Sequence, residues 1–198
     1  MEIKRENVVN AYMAGDDNTK KILREMFPDI DFETEKMPKL PITERVKTFE
    51  DACRELGGEH PFVMAFDSYL DSVHDAYMQD SDIIAYLELR IICAALNEGW
   101  EPQFTEDERC WYPWFWLYTK ENINNRDEDG KKDFRLMSTD NYQTGDYPGL
   151  VYACADYHIS GAAANCCSHL YLKNKTLADY CGKQFVERWA DFRLIRRK

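Results

Sequence analysis

The chain changes texture near residue 100, and no other feature limits its fold as strongly. Before that point apolar residues recur at three- and four-residue spacing between recognisable helix stops. Val46, Phe49, Cys53 and Leu56 run up to Gly57-Gly58, and Pro61 opens a segment carrying Phe62, Phe66, Leu70, Val73 and Tyr77. Asp80 or Ser81 caps the clearest helix, with Ile84, Leu87, Ile91 and Ala94 ahead of Gly99. Residues 16–27 form another helix that ends before Pro28, and residues 28–43, with Pro28, Pro38 and Pro41, read as a connector. After Trp100 the helical period is gone. Residues 111–118, WYPWFWLY, are β-favouring aromatics around an internal Pro113, the pattern of an edge or irregular strand.

Residues 120–133, KENINNRDEDGKKD, read as a polar loop. Residues 150–157 and 166–172 are the next strand candidates, joined through Gly161 and a run of alanines. Thr176 then caps a closing helix with Leu177, Cys181, Phe185, Trp189 and Phe192 on one face. The expectation is an α+β protein, with a helical region over residues 1–99 and a β-containing region closed by a helix over residues 100–198.

At 198 residues the chain suffices for one large domain or two small ones. Its 36 acidic residues outweigh 25 basic ones, a net charge of −11, which argues against nucleic acid as a partner. The basic cluster Arg193, Arg196, Arg197 and Lys198 reads as a solvated helix end. Seven cysteines, an odd number with no CxxC pair, fit a reducing compartment. The N-terminus lacks the apolar run of a signal peptide, and no stretch is long enough to span a bilayer. Synthesis in the cytoplasm without a membrane span is expected, any exit from the cell coming from assembly into a particle or from lysis.

Residues 144–172 have an unusual composition: no Lys, Arg, Glu, Gln, Met or Trp, and only Asp146 and Asp156 as charges. Tyr, Ser, Gly, Asn, Ala, Cys and His dominate, which suits a recognition surface or a tightly packed strand pair. Burial would remove Lys, Glu and Gln. It does not explain losing Met and Trp while keeping Asp, Asn and His. All the residues present can be written with codons ending in C. The candidate ligand-binding residues are Tyr152, Asp156, Tyr157, His158, Ser160, Asn165 and His169, expected to include a solvent-facing cluster.

Other chemistry fits less well. Cys154, His158, Cys166, Cys167 and His169 offer soft ligands, but their spacing matches no zinc pattern and buried thiols are the commoner outcome. Strand alternation sets Cys154, Asp156 and His158 on one face, too far apart for a directed relay. Asp127, Glu128 and Asp129 before Gly130 lack the register of a calcium loop. Trp111, Trp114 and Trp116 suggest a sugar-stacking platform, with Trp114 and Trp116 on one strand face, but core packing is the commoner fate of such residues. Trp111, Trp114, Leu177, Phe185, Trp189 and Phe192 are therefore expected to be buried. No catalytic residue, metal or cofactor is assigned.

LRIICAALNEGWEP (residues 89–102), WYPWFWLY, a variable-looking segment and SHLYLKNKTLADYCGKQFVERWADF (residues 168–192) appear in an order that resembles the variable proteins of diversity-generating retroelements in gut Bacteroides phages and prophages. The resemblance covers the chain from Leu89 onward. It implies a C-type-lectin-like fold and a gene end rewritten at adenines, which turns AAC codons into others ending in C. It also implies recognition by residues 152–169 of a protein or glycan ligand, such as a bacterial surface receptor, by a virion-associated protein. In that family the variable part ends in a strand of Gly-aromatic-Arg type; here Cys167-Ser168-His169-Leu170 stands at that place and a full helix follows. The alternative from a different class is a cytoplasmic, phage-derived regulatory protein whose acidic surface binds a host protein.

Overall fold

The structure, a computed structural model, describes residues 5–32, 40–73, 81–161 and 168–197. His74, Tyr77, Asp80, Asn165, Cys166 and Cys167 lie outside these residues. The chain divides into two compact units, Met1–Pro41 and Ile42–Lys198. The division falls in the proline-bearing connector, and the segment around Gly99 lies inside the second unit.

In the first unit, α1 (Arg5–Ala14) is followed by α2 (Asp17–Met26), which starts where the Asp16 carboxylate accepts the Thr19 N–H at 2.8 Å. Tyr12 and Phe32 stack with ring centroids 4.2 Å apart. Val8 is buried with them, and Leu23, Phe27 and Ile30 pack around this small cluster.

The second unit begins with α3 (Ile42–Arg45) and α4 (Phe49–Leu56), the latter set by a reciprocal cap between Thr48 and Asp51. In α5 (Pro61–Ser72), Pro61 occupies the first turn and the His60 ring accepts the Phe62 N–H. α6 (Ser81–Asn97) buries Ala85, Leu89, Ile91, Ile92, Cys93, Ala95 and Leu96, so apolar residues occupy most of its circumference. Such a helix is stable only when surrounded. Here α4 and α5 pack against it, as does α10 (Val186–Arg193) at the C-terminal end. Glu88, a buried charge of α6, meets Arg188 of α10 at 2.6 Å, while its burial pushes the carboxyl above the usual range.

The sheet has three antiparallel strands in the order β1-β3-β2: β1 (Arg109–Tyr118), β2 (Met137–Ser138) and β3 (Gly149–Ile159). Residues 120–133 are not the polar loop expected. They hold two short helices, α7 (Lys120–Asn124) and α8 (Glu128–Asp133), started by the side chains of Thr119 and Asp127. These helices rest on capping rather than on an apolar stripe, so periodicity does not reveal them.

The strand expected over residues 166–172 is, in its described part, a 3-10 turn at Ser168–Leu170 followed by one bridge from Leu172 to Trp111. Buried Asn97 holds it there: its amide donates to the Tyr171 carbonyl at 2.8 Å, and its oxygen accepts the Lys173 N–H at 3.0 Å. Backbone bonding is thus completed by a side chain instead of a ladder. Asn174, not Thr176, caps α9 (Lys175–Gln184), and the closing helix breaks at Phe185 before α10.

α9 lies directly on the sheet at Gly182. A Cβ there would stand 2.6 Å from both Pro113 Cβ and Tyr152 Cδ2, so glycine is required for the approach. Leu177, Phe185 and Trp189 are buried as expected, and Phe192 packs partly buried against them. Beyond α10, the chain bridges Arg196 to Tyr142, and the Arg196 guanidinium grips the Asp191 carboxylate with bonds of 2.8 and 2.9 Å.

Candidate functional site

The register of β1 on β3 decides which side chains share a face. Cys110 pairs with His158, Tyr112 with Asp156, Trp114 with Cys154 and Trp116 with Val151, and paired residues project to the same side. Trp111 with Tyr157, Pro113 with Ala155, Phe115 with Tyr152 and Leu117 with Leu150 make the opposite side. α9 and α10 cover this second side, where Phe115 meets Trp189 at 6.0 Å and Leu150 packs with Val186 and Ala190.

Between Trp114 and Phe115 the register slips by one, leaving Ala153 of β3 without a partner. This β-bulge reverses the alternation beyond it. Without it, Tyr152 would project with Cys154, Asp156 and His158. With it, Tyr152 crosses to the helix-covered side, where it is 3% exposed and its hydroxyl donates to Asp179 of α9. Burial, and then the neighbouring carboxylate, push its phenol well above the ordinary range. Tyr152 is a frame residue and not the exposed contact expected.

The uncovered face is closed at both ends. At one end Cys110 and Tyr112 are buried with Tyr171, and Trp100 packs against them. Burial pushes the Cys110 thiol up to about 11. At the other end Ile123 and Leu136 sit over Gly149, where a Cβ would meet both at 2.8 Å. Between these ends Trp114 and Trp116 are 41% and 55% exposed, their rings edge-to-face with centroids 6.3 Å apart. Trp114 therefore does not belong to the core: the helices cover only the side to which Pro113 and Phe115 point. Trp111, on that side, is partly buried as its position requires.

Beside the indoles stand the exposed Cys154, a free thiol, and the exposed Asp156. Asp156 accepts a long bond from the Tyr112 hydroxyl at 3.4 Å and one from the Tyr157 N–H at 2.8 Å. His158 stacks on Tyr112 at 4.7 Å. Cys154 and His158 share the face, but at a rise of about 3.3 Å per residue they are roughly 13 Å apart, beyond a direct proton relay. Among the described residues no three His, Cys, Asp or Glu side chains gather closely enough to hold a metal ion. In the same set, no helix is long and apolar enough to cross a membrane.

The remaining candidates scatter. Tyr157, 39% exposed, lies on the opposite side, flanked by Trp111 at 4.9 Å and the Arg109 guanidinium at 4.7 Å. Ser160 is buried, its hydroxyl donating to Glu108 at 2.7 Å, so it ties a loop. His169 is exposed but belongs to a separate cleft with Phe62. Asn165 is outside the described residues. Asp156 and His158 thus come together, while Trp114, Trp116, Cys154 and Tyr112 complete a face that the sequence reading did not assemble. The available signal was the shared parity of Trp114 and Trp116 in a strand with aromatics on both sides. Only one closing helical segment, residues 176–192, was at hand to cover them.

Compared with known proteins, the chain matches no family model, no curated protein and no solved structure.

Proposed function

We propose that this protein is a non-catalytic recognition protein that binds a glycan on the open face of its sheet. The observation that carries the reading is the exposed Trp114–Trp116 pair set beside the Asp156 carboxylate on a strand pair braced from behind by α9. Apolar surface of this kind, rimmed by polar groups, is characteristic of interaction sites. A sugar ring presents a C–H face and a hydroxyl edge; the indoles receive the first, and Asp156 and His158 hydrogen-bond the second. Backbone pairing fixes the site before the ligand arrives, which reduces the entropy lost on binding.

In this reading the β1-β3-β2 region is the lectin-like part of a phage or prophage protein, and the segment from β3 to His169 is its diversified portion. It acts at a bacterial surface as part of a particle, without nucleic acid as a partner. A screen of the protein against bacterial surface glycans, followed by titration calorimetry on the best ligand, tests the proposal. Trp114→Ala or Trp116→Ala should weaken binding about tenfold or more, as truncation of a central Trp does at interaction sites. Unchanged binding in both variants would refute it. Capture of a host protein dependent on acidic surface residues and independent of these indoles would favour the regulatory alternative. A nearby reverse-transcriptase gene with a repeat matching the β3 codons except at adenines would support diversification.

A further inference from the structure

A second built site lies apart from the indole pair. A cleft of about 170 Å³ is lined by Phe62 of α5, Ala94 and Asn97 of α6, the loop carrying Trp100 and Phe104, and Ser168, His169 and Tyr171. Aromatic rings thus enter its wall from separate parts of the second unit. Glu101 is among the lining residues, which include no Lys or Arg, on a chain of net charge −11. Arg90 stacks on Phe62 at 3.7 Å but does not line the cleft.

Phe104 is held in place deliberately. It is 57% exposed with φ +55, a left-handed conformation that bulky side chains rarely adopt. A single oxygen of Glu108 accepts the N–H of Gln103 at 2.8 Å, the N–H of Phe104 at 3.2 Å and the Ser160 hydroxyl at 2.7 Å. Gly161 donates to the Thr105 carbonyl at 3.0 Å, and a Cβ on it would strike that same oxygen at 2.9 Å. The loop is therefore clamped from both sides, and it holds a largely exposed aromatic ring at the cleft.

We propose that this cleft binds a small quaternary ammonium compound of choline size, with Phe62, Trp100, Phe104 and Tyr171 around the methylated cation and Glu101 as its counter-charge. Aromatic faces attract such cations through the ring quadrupole, and the methyl groups lose little hydration on entry. Glu101 supplies the preference for a cation, and the cleft of about 170 Å³ suits a headgroup of this size. Ser160 and Glu108 act here as positioning residues.

The test is titration calorimetry of the full chain with choline and with its neutral isostere 3,3-dimethyl-1-butanol. Choline should bind saturably, and the isostere at least about tenfold more weakly. Phe104→Ala and Glu101→Gln, both at exposed positions, should each weaken choline by about fivefold or more with unchanged thermal melts. Glycan binding at Trp114 and Trp116 should be untouched by either variant, so failure here and failure of the sheet-face reading are separable. Absence of saturable choline binding, equal binding of the isostere, or wild-type affinity in both variants would overturn the proposal. So would attachment to phosphatidylcholine vesicles without binding of free choline.

Discussion

Replacing Gly182 with alanine tests whether the helix-to-sheet contact is as tight as the geometry requires. Two effects oppose each other. Removing glycine from a helix interior is worth about 0.8–1 kcal/mol in favour of the variant. The added methyl, however, falls 2.6 Å from Pro113 Cβ and Tyr152 Cδ2 and 2.7 Å from Tyr152 Cε2. Carbon atoms settle at about 3.5–4.0 Å, so the gap must widen by roughly 1 Å. Neither neighbour yields: Pro113 is a ring within the strand backbone, and Tyr152 is tied through its hydroxyl to Asp179 on the same helix. Overpacking of this kind costs about 1–3 kcal/mol, leaving a net loss of about 1–2 kcal/mol if the cost lies in the upper part of that range. For a protein of this size the melting temperature should fall by about 2–8 °C. Gly58→Ala is the control, since nothing lies within 4 Å of its added methyl. Thermal melts followed by circular dichroism would decide. A Gly182→Ala protein that melts at or above the parent temperature would refute the close-approach argument.

Tyr142→Phe should cost about 1–3 kcal/mol in denaturant melts, because the buried Asp191 carboxylate loses a 2.6 Å hydrogen bond. Burial first, and then Asp191, push the Tyr142 phenol up to about 12, against about 10 in an unfolded chain. The stability linked to that shift is present below pH 10 and lost as pH rises toward 12, so the variant should show a shallower alkaline decline over that window. Trp114→Ala and Trp116→Ala should shift stability by under about 0.5 kcal/mol, whereas Trp189→Ala, in the core, should cost about 3–5 kcal/mol; equal losses in calorimetry would contradict the assignment of faces. Cys154 should react with a maleimide in the native protein while Cys93, Cys110 and Cys181 stay protected, as peptide mass mapping would show. Modification of Cys110 at the rate of Cys154 would count against the buried position of its thiol.

Much of the helical framework could be read from the sequence because each helix carries both a period and a stop. Asp16, Pro61 and Ser81 mark starts that the structure reproduces to within a few residues, and β1 falls on the aromatic run as expected. α7 and α8 escaped because capping carries them. Residues 168–172 escaped because their backbone bonds go to Asn97 and Trp111, partners remote in sequence, and composition does not report a partner. The site was legible only in part. Simple alternation set Cys154, Asp156 and His158 on one face, as the structure has them, but the turn of Tyr152 to the other side was not legible, because a bulge is a property of two strands together and leaves no mark in one.

That bulge also explains how a chain with aromatics on both sides of β1 keeps an open face apart from a packed one. Upstream of Ala153, Tyr152 and Leu150 turn toward the helices and carry the packing. Downstream, Cys154, Asp156 and His158 project to the uncovered side opposite Trp114, Tyr112 and Cys110. If β3 continued in strict alternation, Tyr152 would join the open face, its bond to Asp179 would be lost, and Pro113 alone of the two would remain beneath Gly182. The extra residue lets one strand serve the core with its first half and the open face with its second. Cys154 and Asp156 are themselves exposed, whereas His158 is partly buried against the core residue Tyr112. Large changes of side chain at Cys154 and Asp156 should therefore shift stability by under about 0.5 kcal/mol, and a larger loss in thermal melts would count against their exposed positions.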